Sequence, residues 1–105
     1  MTDPSKINPI VHVQASAVSI VQKYIRQCQK NLPEFYQALK RQDFSFLIQE
    51  AHKIKGTGAL MGVMNLNMLG ERIEIAAREN NLKEVHSQLD ALAQYLNVLT
   101  VVAQE

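Results

Sequence analysis

Residues 50–62, EAHKIKGTGALMG, carry three glycines inside a helical pattern of apolar residues. A glycine within a helix is about 1 kcal/mol less favourable than alanine, so this density of glycine has to serve another purpose. The apolar positions recur at steps of three and four, which predicts an amphipathic helix. They are Phe44, Leu47, Ile48, Ala51, Ile54, Gly58 and Met61. We expect Asp43 to cap this helix, Gly58 to permit close helix packing on the core side, and Gly62 to end the helix.

One histidine lies on the flank of the predicted stripe. At 100° per residue, His52 is roughly 110° from the centre of the stripe. Lys55 and Gly56 follow three and four residues later on the same flank, and Ala59 lies one turn further along. Lys53 points to the solvent side. The imidazole therefore stands beside an ammonium group, on a surface of small residues that another protein could approach closely.

The pairing of a histidine with a lysine suits reversible phosphoryl chemistry. An ordinary histidine titrates at about 6.5, so the neutral, nucleophilic ring is abundant near neutral pH. A phosphoryl group on His52 would bring negative charge, which Lys55 could stabilise. The chain has no Walker loop, no kinase loop and no acidic cluster that would hold Mg²⁺ for a nucleotide. Any further machinery would have to come from partners.

Upstream of this segment, apolar residues at helical spacing predict a first helix from about residue 16. They are Ala17, Ile20, Val21, Tyr24, Cys28, Leu32, Phe35, Tyr36 and Leu39. Asn31 and Glu34 resemble a capping box, and a first helical turn would tolerate Pro33 between them. Either a new helix starts at Asn31 or one long helix kinks at Pro33.

Downstream, two asparagines mark further helix starts. Asn65 is predicted to cap a helix that turns Leu66, Leu69, Ile73 and Ala76 inward, and Asn81 with Glu84 forms a capping-box pattern for the last helix. The inward stripe of that last helix is Leu82, Val85, Leu89, Leu92, Leu96, Leu99 and Ala103.

The pattern as a whole predicts an all-α fold. No segment alternates with period two, so no sheet is expected. We predict an antiparallel up-down bundle of four helices over residues 13–105, or five helices if the chain breaks near Pro33. Residues 1–12 are expected to form a flexible lead-in, because Pro4 and Pro9 discourage regular structure there.

Composition narrows the function classes. The 105 residues suit one domain, and a net charge of +1 gives no case for nucleic acid or an anionic membrane as main partner. No apolar run is long enough to span a membrane, and the N-terminus lacks a secretory signal. Cys28 is the single cysteine, which favours a reducing compartment, and His12, His52 and His86 lack metal-ligand spacing. We expect a cytoplasmic, monomeric protein that is free-standing, since Met1 precedes a whole bundle.

The segment AHKIKGTGALMG resembles the signature of histidine phosphotransfer (HPt) domains. That signature is Ala-His, any residue, an apolar residue and Lys-Gly, with another glycine six residues after the first. His52, Lys55, Gly56 and Gly62 match these positions. The upstream run LPEFYQALKRQDFSFLIQEAHKIKG also follows the family's approach to its active helix.

The resemblance extends into the following helix, LNMLGERIEIAAREN. The family's element there is of the type Leu-Glu-x-x-Ala-Arg. Ile73 replaces its leucine, while Glu74, Ala77 and Arg78 match. The resemblance covers roughly residues 11–100, which is nearly the whole chain.

The resemblance implies a four-helix bundle whose exposed His52 carries a phosphoryl group between aspartates on receiver domains of a His–Asp phosphorelay. It implies that Lys55 stabilises the phosphoryl group, that Gly56 leaves room for the receiver and that Glu74 holds the imidazole N–H. Further partner contacts are predicted for Lys53, Ala59 and Arg78.

The partners implied by the resemblance are a response-regulator receiver domain and a sensor or hybrid histidine kinase. The family has no bound cofactor of its own, and the Mg²⁺ belongs to the receiver. The chain would be a phosphocarrier and not an enzyme, because no kinase or phosphatase machinery is visible. The alternative is an adaptor bundle that binds a receiver or kinase domain without being phosphorylated at His52.

Overall fold

The computed structural model describes residues 9–104, which fold into four helices around one hydrophobic core. The helices are α1 (Val18–Arg41), α2 (Phe44–Leu60), α3 (Met64–Arg78) and α4 (Leu82–Val98). The largest fully buried side chains are Tyr95, Leu47, Leu66, Leu69, Ile73, Leu89 and Leu92. The predicted four-helix bundle is confirmed. Within residues 9–104, no helix is long and apolar enough to cross a membrane.

Helix α1 runs through Pro33 without a break. A proline in a helix removes the hydrogen bond to the carbonyl four residues earlier, here Gln29. Both residues are exposed, so water can reach that carbonyl, while the buried Cys28 and Phe35 on either side anchor the helix to the core. Of the two alternatives that the sequence left open, the structure therefore shows one long helix and not a new helix starting at Asn31.

The inward stripe of α1 is narrower than the sequence predicts. Ile20 is 62% exposed, whereas its neighbour Val21 is only 1% exposed. The residues of α1 that face the core are Val21, Ile25, Cys28, Phe35 and Ala38. Ile20 lies 100° away from Val21 on the helix, which turns it out of the bundle.

Two of the four predicted caps are confirmed, and the one at Asn31 is not, since Asn31 lies inside α1. The carboxylate of Asp43 accepts a hydrogen bond of 3.1 Å from the backbone N–H of Phe46, and the side chain of Asn81 accepts one of 3.1 Å from Glu84. The predicted cap at Asn65 is wrong, because the cap position is Val63 and α3 begins at Met64, two residues earlier than predicted. The way in which α2 ends determines where α3 begins. Gly62 takes a φ of +78°, and the N–H of Val63 then bonds back to the carbonyl of Gly58 at 2.8 Å.

Helices α2 and α3 pack backbone against backbone. A Cβ atom on Gly58 would lie 2.8 Å from the backbone nitrogen of Asn67, which confirms the predicted packing role of that glycine. Gly70, which the sequence did not single out, is tighter still: its Cβ would lie 2.6 Å from the backbone nitrogen of Lys55. The two helices run antiparallel, since the contacts between them pair His52 with Glu74 and Lys55 with Asn67.

A small sheet joins the two ends of the described chain, so the prediction that no sheet forms is wrong, and the sheet corrects two further predictions. Strand β1 (Ile10–Val13) pairs in parallel with strand β2 (Thr100–Ala103), with Ile10 opposite Thr100. The predicted lead-in over residues 1–12 therefore holds most of a strand, while residues 1–8 lie outside the described part. Helix α4 also ends at Val98, short of the predicted Ala103. Strands of four residues are too short to reveal an alternating pattern, and each finds its partner far away in sequence.

Candidate functional site

The ring of His52 lies on the outer surface of α2, and its side chain is 68% exposed. Nδ1 lies 3.2 Å from each carboxylate oxygen of Glu74, which stands on α3, 22 residues later. The close packing at Gly58 and Gly70 brings the two helices near enough for this contact. One edge of the imidazole is thus held by the bundle while the rest of the ring faces solvent.

Glu74 is one of two buried polar residues among those described, and it is only 7% exposed. Arg78, one turn later on α3, donates a hydrogen bond of 2.9 Å from Nη2 to Oε2 of Glu74. Burial acts to raise the pKa of the Glu74 carboxyl, but the hydrogen bonds from Arg78 and His52 outweigh it and hold the pKa below its ordinary value. The side chain is therefore an ionised carboxylate at neutral pH.

The charge of Glu74 determines which nitrogen of His52 is free. An ionised carboxylate only accepts hydrogen bonds, so Nδ1 carries the proton that is shared with it. In the neutral ring, Nε2 then keeps its lone pair. The arrangement resembles the pairing of a carboxylate with a catalytic histidine, in which the carboxylate fixes the tautomer and stabilises positive charge on the ring.

Lys55 lies one turn after His52 and leans towards α3. Its ammonium nitrogen is 3.5 Å from Oε1 of Glu71, and the two side chains are 36% and 49% exposed. An ion pair this exposed is worth at most about 1 kcal/mol, so the ammonium group can leave Glu71 for a stronger anion beside the histidine. The backbone of Lys55 is held more firmly, since its carbonyl accepts a 3.0 Å hydrogen bond from the side chain of Asn67.

Gly56 faces solvent, and its role is separable from that of Gly58 and Gly70. A Cβ added at Gly56 would meet nothing within 4 Å, whereas at the other two positions it would collide with backbone atoms. Packing inside the bundle therefore does not require a glycine at this position. The space beside Gly56 is open, and the clearance that it would give a partner stays a prediction.

The exposed surface of α2 on either side of Gly56 holds two of the predicted partner residues and one residue that the sequence did not single out. Lys53 is 71% exposed and contacts Glu50 at 2.9 Å, and Ala59 is exposed. Leu60, four residues after Gly56 on the same face, is 86% exposed. The sequence could have indicated this residue, because Leu60 lies outside the inward stripe of α2 and its side chain is therefore not buried in the core.

Of the other sequence candidates, Arg78 is linked to His52 through Glu74, whereas His12 and His86 lie elsewhere. Arg78, predicted as a partner contact, pairs with Glu74 while its side chain remains 60% exposed. His12 is in β1, and His86 is on α4, where Nε2 lies 3.7 Å from Asp90. Across residues 9–104, no group of three or more His, Cys, Asp or Glu residues is placed to hold a metal ion.

Comparison with known proteins gives one match. The family model described as Hpt domain matches residues 19–100, about four-fifths of the chain. The match contains α2 and α3 and so all of the cluster around His52. No curated protein and no solved structure matches the chain.

Proposed function

This chain belongs to the Hpt domain family, and on that premise we propose that His52 accepts a phosphoryl group and passes it between receiver-domain aspartates in a two-component phosphorelay. The protein is then a phosphocarrier without kinase or phosphatase machinery of its own. One observation carries the proposal: an exposed imidazole whose Nδ1 is held at 3.2 Å by the buried carboxylate of Glu74. That contact leaves Nε2 as the nucleophile.

The transfer step follows from this geometry. The lone pair of Nε2 forms a bond to phosphorus, and the bond from phosphorus to the donor oxygen breaks, so the donor aspartate leaves as a carboxylate. The ring now carries a positive charge, which the ionised carboxylate of Glu74 stabilises through the proton on Nδ1. Lys55 moves from Glu71 to the phosphoryl oxygens. In the return direction a carboxylate oxygen of the acceptor aspartate forms the new bond to phosphorus, and the electrons of the P–N bond go back to Nε2.

The receiver docks on the exposed face of α2 around Gly56. A transfer between two side chains requires the donor aspartate to come within about 3–3.5 Å of in-line attack, which a bulky residue at Gly56 would obstruct. Lys53, Ala59 and Leu60 supply a contact surface of mixed character, suited to a modest and transient interface. The receiver brings the Mg²⁺, and a sensor or hybrid histidine kinase supplies the phosphate. We place the chain in the cytoplasm as a monomer.

The test is acid-labile phosphorylation by phosphoramidate, a small donor that favours histidine and requires no docking. Intact mass is measured for wild type, His52→Gln and His86→Gln, the last a matched control because His86 is also an exposed helical histidine near a carboxylate. We expect a single acid-labile phosphate on wild type and on His86→Gln, and none on His52→Gln. A folded wild type that stays unmodified would contradict the proposal.

A second measurement separates the carrier from the adaptor. Phosphorylated wild type is mixed with purified receiver domains and Mg²⁺, and the loss of phosphate from His52 is followed by mass. The carrier transfers its phosphate to at least one receiver. The adaptor instead keeps its affinity for a receiver or kinase domain in the His52→Gln variant and transfers nothing.

A further inference from the structure

Arg78 is tied to the candidate site by a contact that the sequence did not predict. Its guanidinium reaches the same carboxylate that holds His52, at 2.9 Å. We infer that Arg78 is a positioning residue: it holds Glu74 against Nδ1 of His52 and so keeps Nε2 as the nucleophilic nitrogen. The inference rests on the proposed function and adds a residue that acts on His52 only through Glu74.

Arg78 holds one of the two carboxylate oxygens of Glu74. Nη2 of Arg78 contacts Oε2, whereas Nδ1 of His52 lies equally close to both oxygens. Among residues 9–104, these two side chains are the donors that Glu74 has. The side chain of Glu74 is only 9% exposed, so water contributes little to its orientation. Without Arg78, the histidine alone would hold it.

The charge of Arg78 supports the same role. A protonated Glu74 could donate a hydrogen bond to Nδ1 and stabilise the other tautomer of the ring, in which Nε2 carries the proton. The hydrogen bond from Arg78 helps to keep the pKa of Glu74 below its ordinary value against the opposing effect of burial. Arg78 thus favours both the acceptor form of Glu74 and the orientation in which that form meets His52.

The spectroscopic test is the tautomer of His52, read from its two ring-nitrogen chemical shifts at a pH where the ring is neutral. The variants are Arg78→Gln, Arg78→Lys and, as a matched control, Arg26→Gln. Arg26 is exposed on α1 and makes no ion pair within residues 9–104. We expect a smaller fraction of the Nδ1–H form in Arg78→Gln, partial rescue by lysine because a single nitrogen makes the contact, and no change in the control.

The kinetic test uses phosphoramidate, so that a docking role of Arg78 does not enter. We expect Arg78→Gln to slow phosphorylation about tenfold, the lower end of the loss seen when a residue that orients a metal-binding histidine is removed. In a double-mutant cycle with Glu74→Gln, the second substitution should then have little further effect, because Arg78 acts through Glu74.

Two outcomes would overturn the inference. One is an unchanged tautomer and rate in Arg78→Gln, and the other is an undiminished effect of Arg78→Gln in the Glu74→Gln background, which would mean that Arg78 acts directly. The tautomer measurement requires no phosphate. It therefore tests the inference even if His52 is not phosphorylated in any variant, a result that would contradict the proposed function alone.

Discussion

At the scale of single residues, the buried carboxylate of Glu74 links the site to the stability of the fold. Its pKa is held below the ordinary value by Arg78 and His52, against burial. A carboxyl with a depressed pKa contributes stability that is present above its unfolded pKa, about 4.3 for glutamate, and lost as the pH falls through the folded value. The contribution of Glu74 should therefore disappear on the acid side.

We predict that the difference in unfolding free energy between wild type and Glu74→Gln decreases as the pH falls below about 5, near the unfolded pKa of glutamate. Urea titrations at a series of pH values measure it. Glu34→Gln, at an exposed position on α1, controls for the loss of one negative charge. A difference independent of pH would contradict the prediction.

The sequence predicted some residues of the site better than others, for a physical reason. His52, Lys55 and Gly56 share one helix, so their common face follows from helical geometry alone. The contact between Glu74 and His52 crosses two helices and was implied only by the family resemblance. The ion pair of Arg78 depends on which way a long side chain turns, and no spacing rule determines that.

At the scale of elements, glycines set the distance between α2 and α3. We predict that Gly70→Ala lowers the free energy of unfolding by about 1–3 kcal/mol, because the added Cβ would lie 2.6 Å from the backbone nitrogen of Lys55 and backbone atoms cannot easily move aside. Gly56→Ala, which meets nothing within 4 Å, should instead gain about 0.5–1 kcal/mol of helix stability.

Chemical denaturation of the two alanine variants measures both effects under one set of conditions. They are matched because each glycine lies inside a helix and each receives the same methyl group. Equal stability of the two variants would mean that the α2–α3 contact is looser than the structure indicates. A gain from Gly56→Ala would also mean that wild type retains a destabilising glycine beside His52.

Local chemistry also explains which helix ends could be predicted. Asp43 and Asn81 cap helices through their own side chains, and a cap of this kind is visible in a short stretch of sequence. The start of α3 instead follows from the left-handed turn at Gly62, which leaves Asn65 inside the helix. Gly70 is required because the backbone of α2 packs directly against it. The pattern of apolar residues in α3 alone does not show which part of α2 lies there.

At the scale of the whole molecule, β1 and β2 bring the two ends of the described chain together. Val13 and Val101, which are 6% and 8% exposed, join the core of the bundle from β1 and β2. The sequence could not predict this pairing, because each strand is only four residues long and all four helices lie between the two strands in sequence. The sheet thus adds to the other long-range contact of the fold, between α1 and α4, where the hydroxyl of Tyr36 donates a 2.6 Å hydrogen bond to Asp90.

We predict that Val13→Asp lowers the free energy of unfolding by at least about 2 kcal/mol, because the burial of the valine is lost and a carboxylate takes its place. His12→Ala, at the exposed neighbouring position of the same strand, should change it by less than about 0.5 kcal/mol. Urea denaturation measures both. Phosphorylation of His52 by phosphoramidate should be unchanged in the folded Val13→Asp protein, since α2 and α3 alone build the site. A Val13→Asp protein as stable as wild type would mean that β1 is not part of the folded domain.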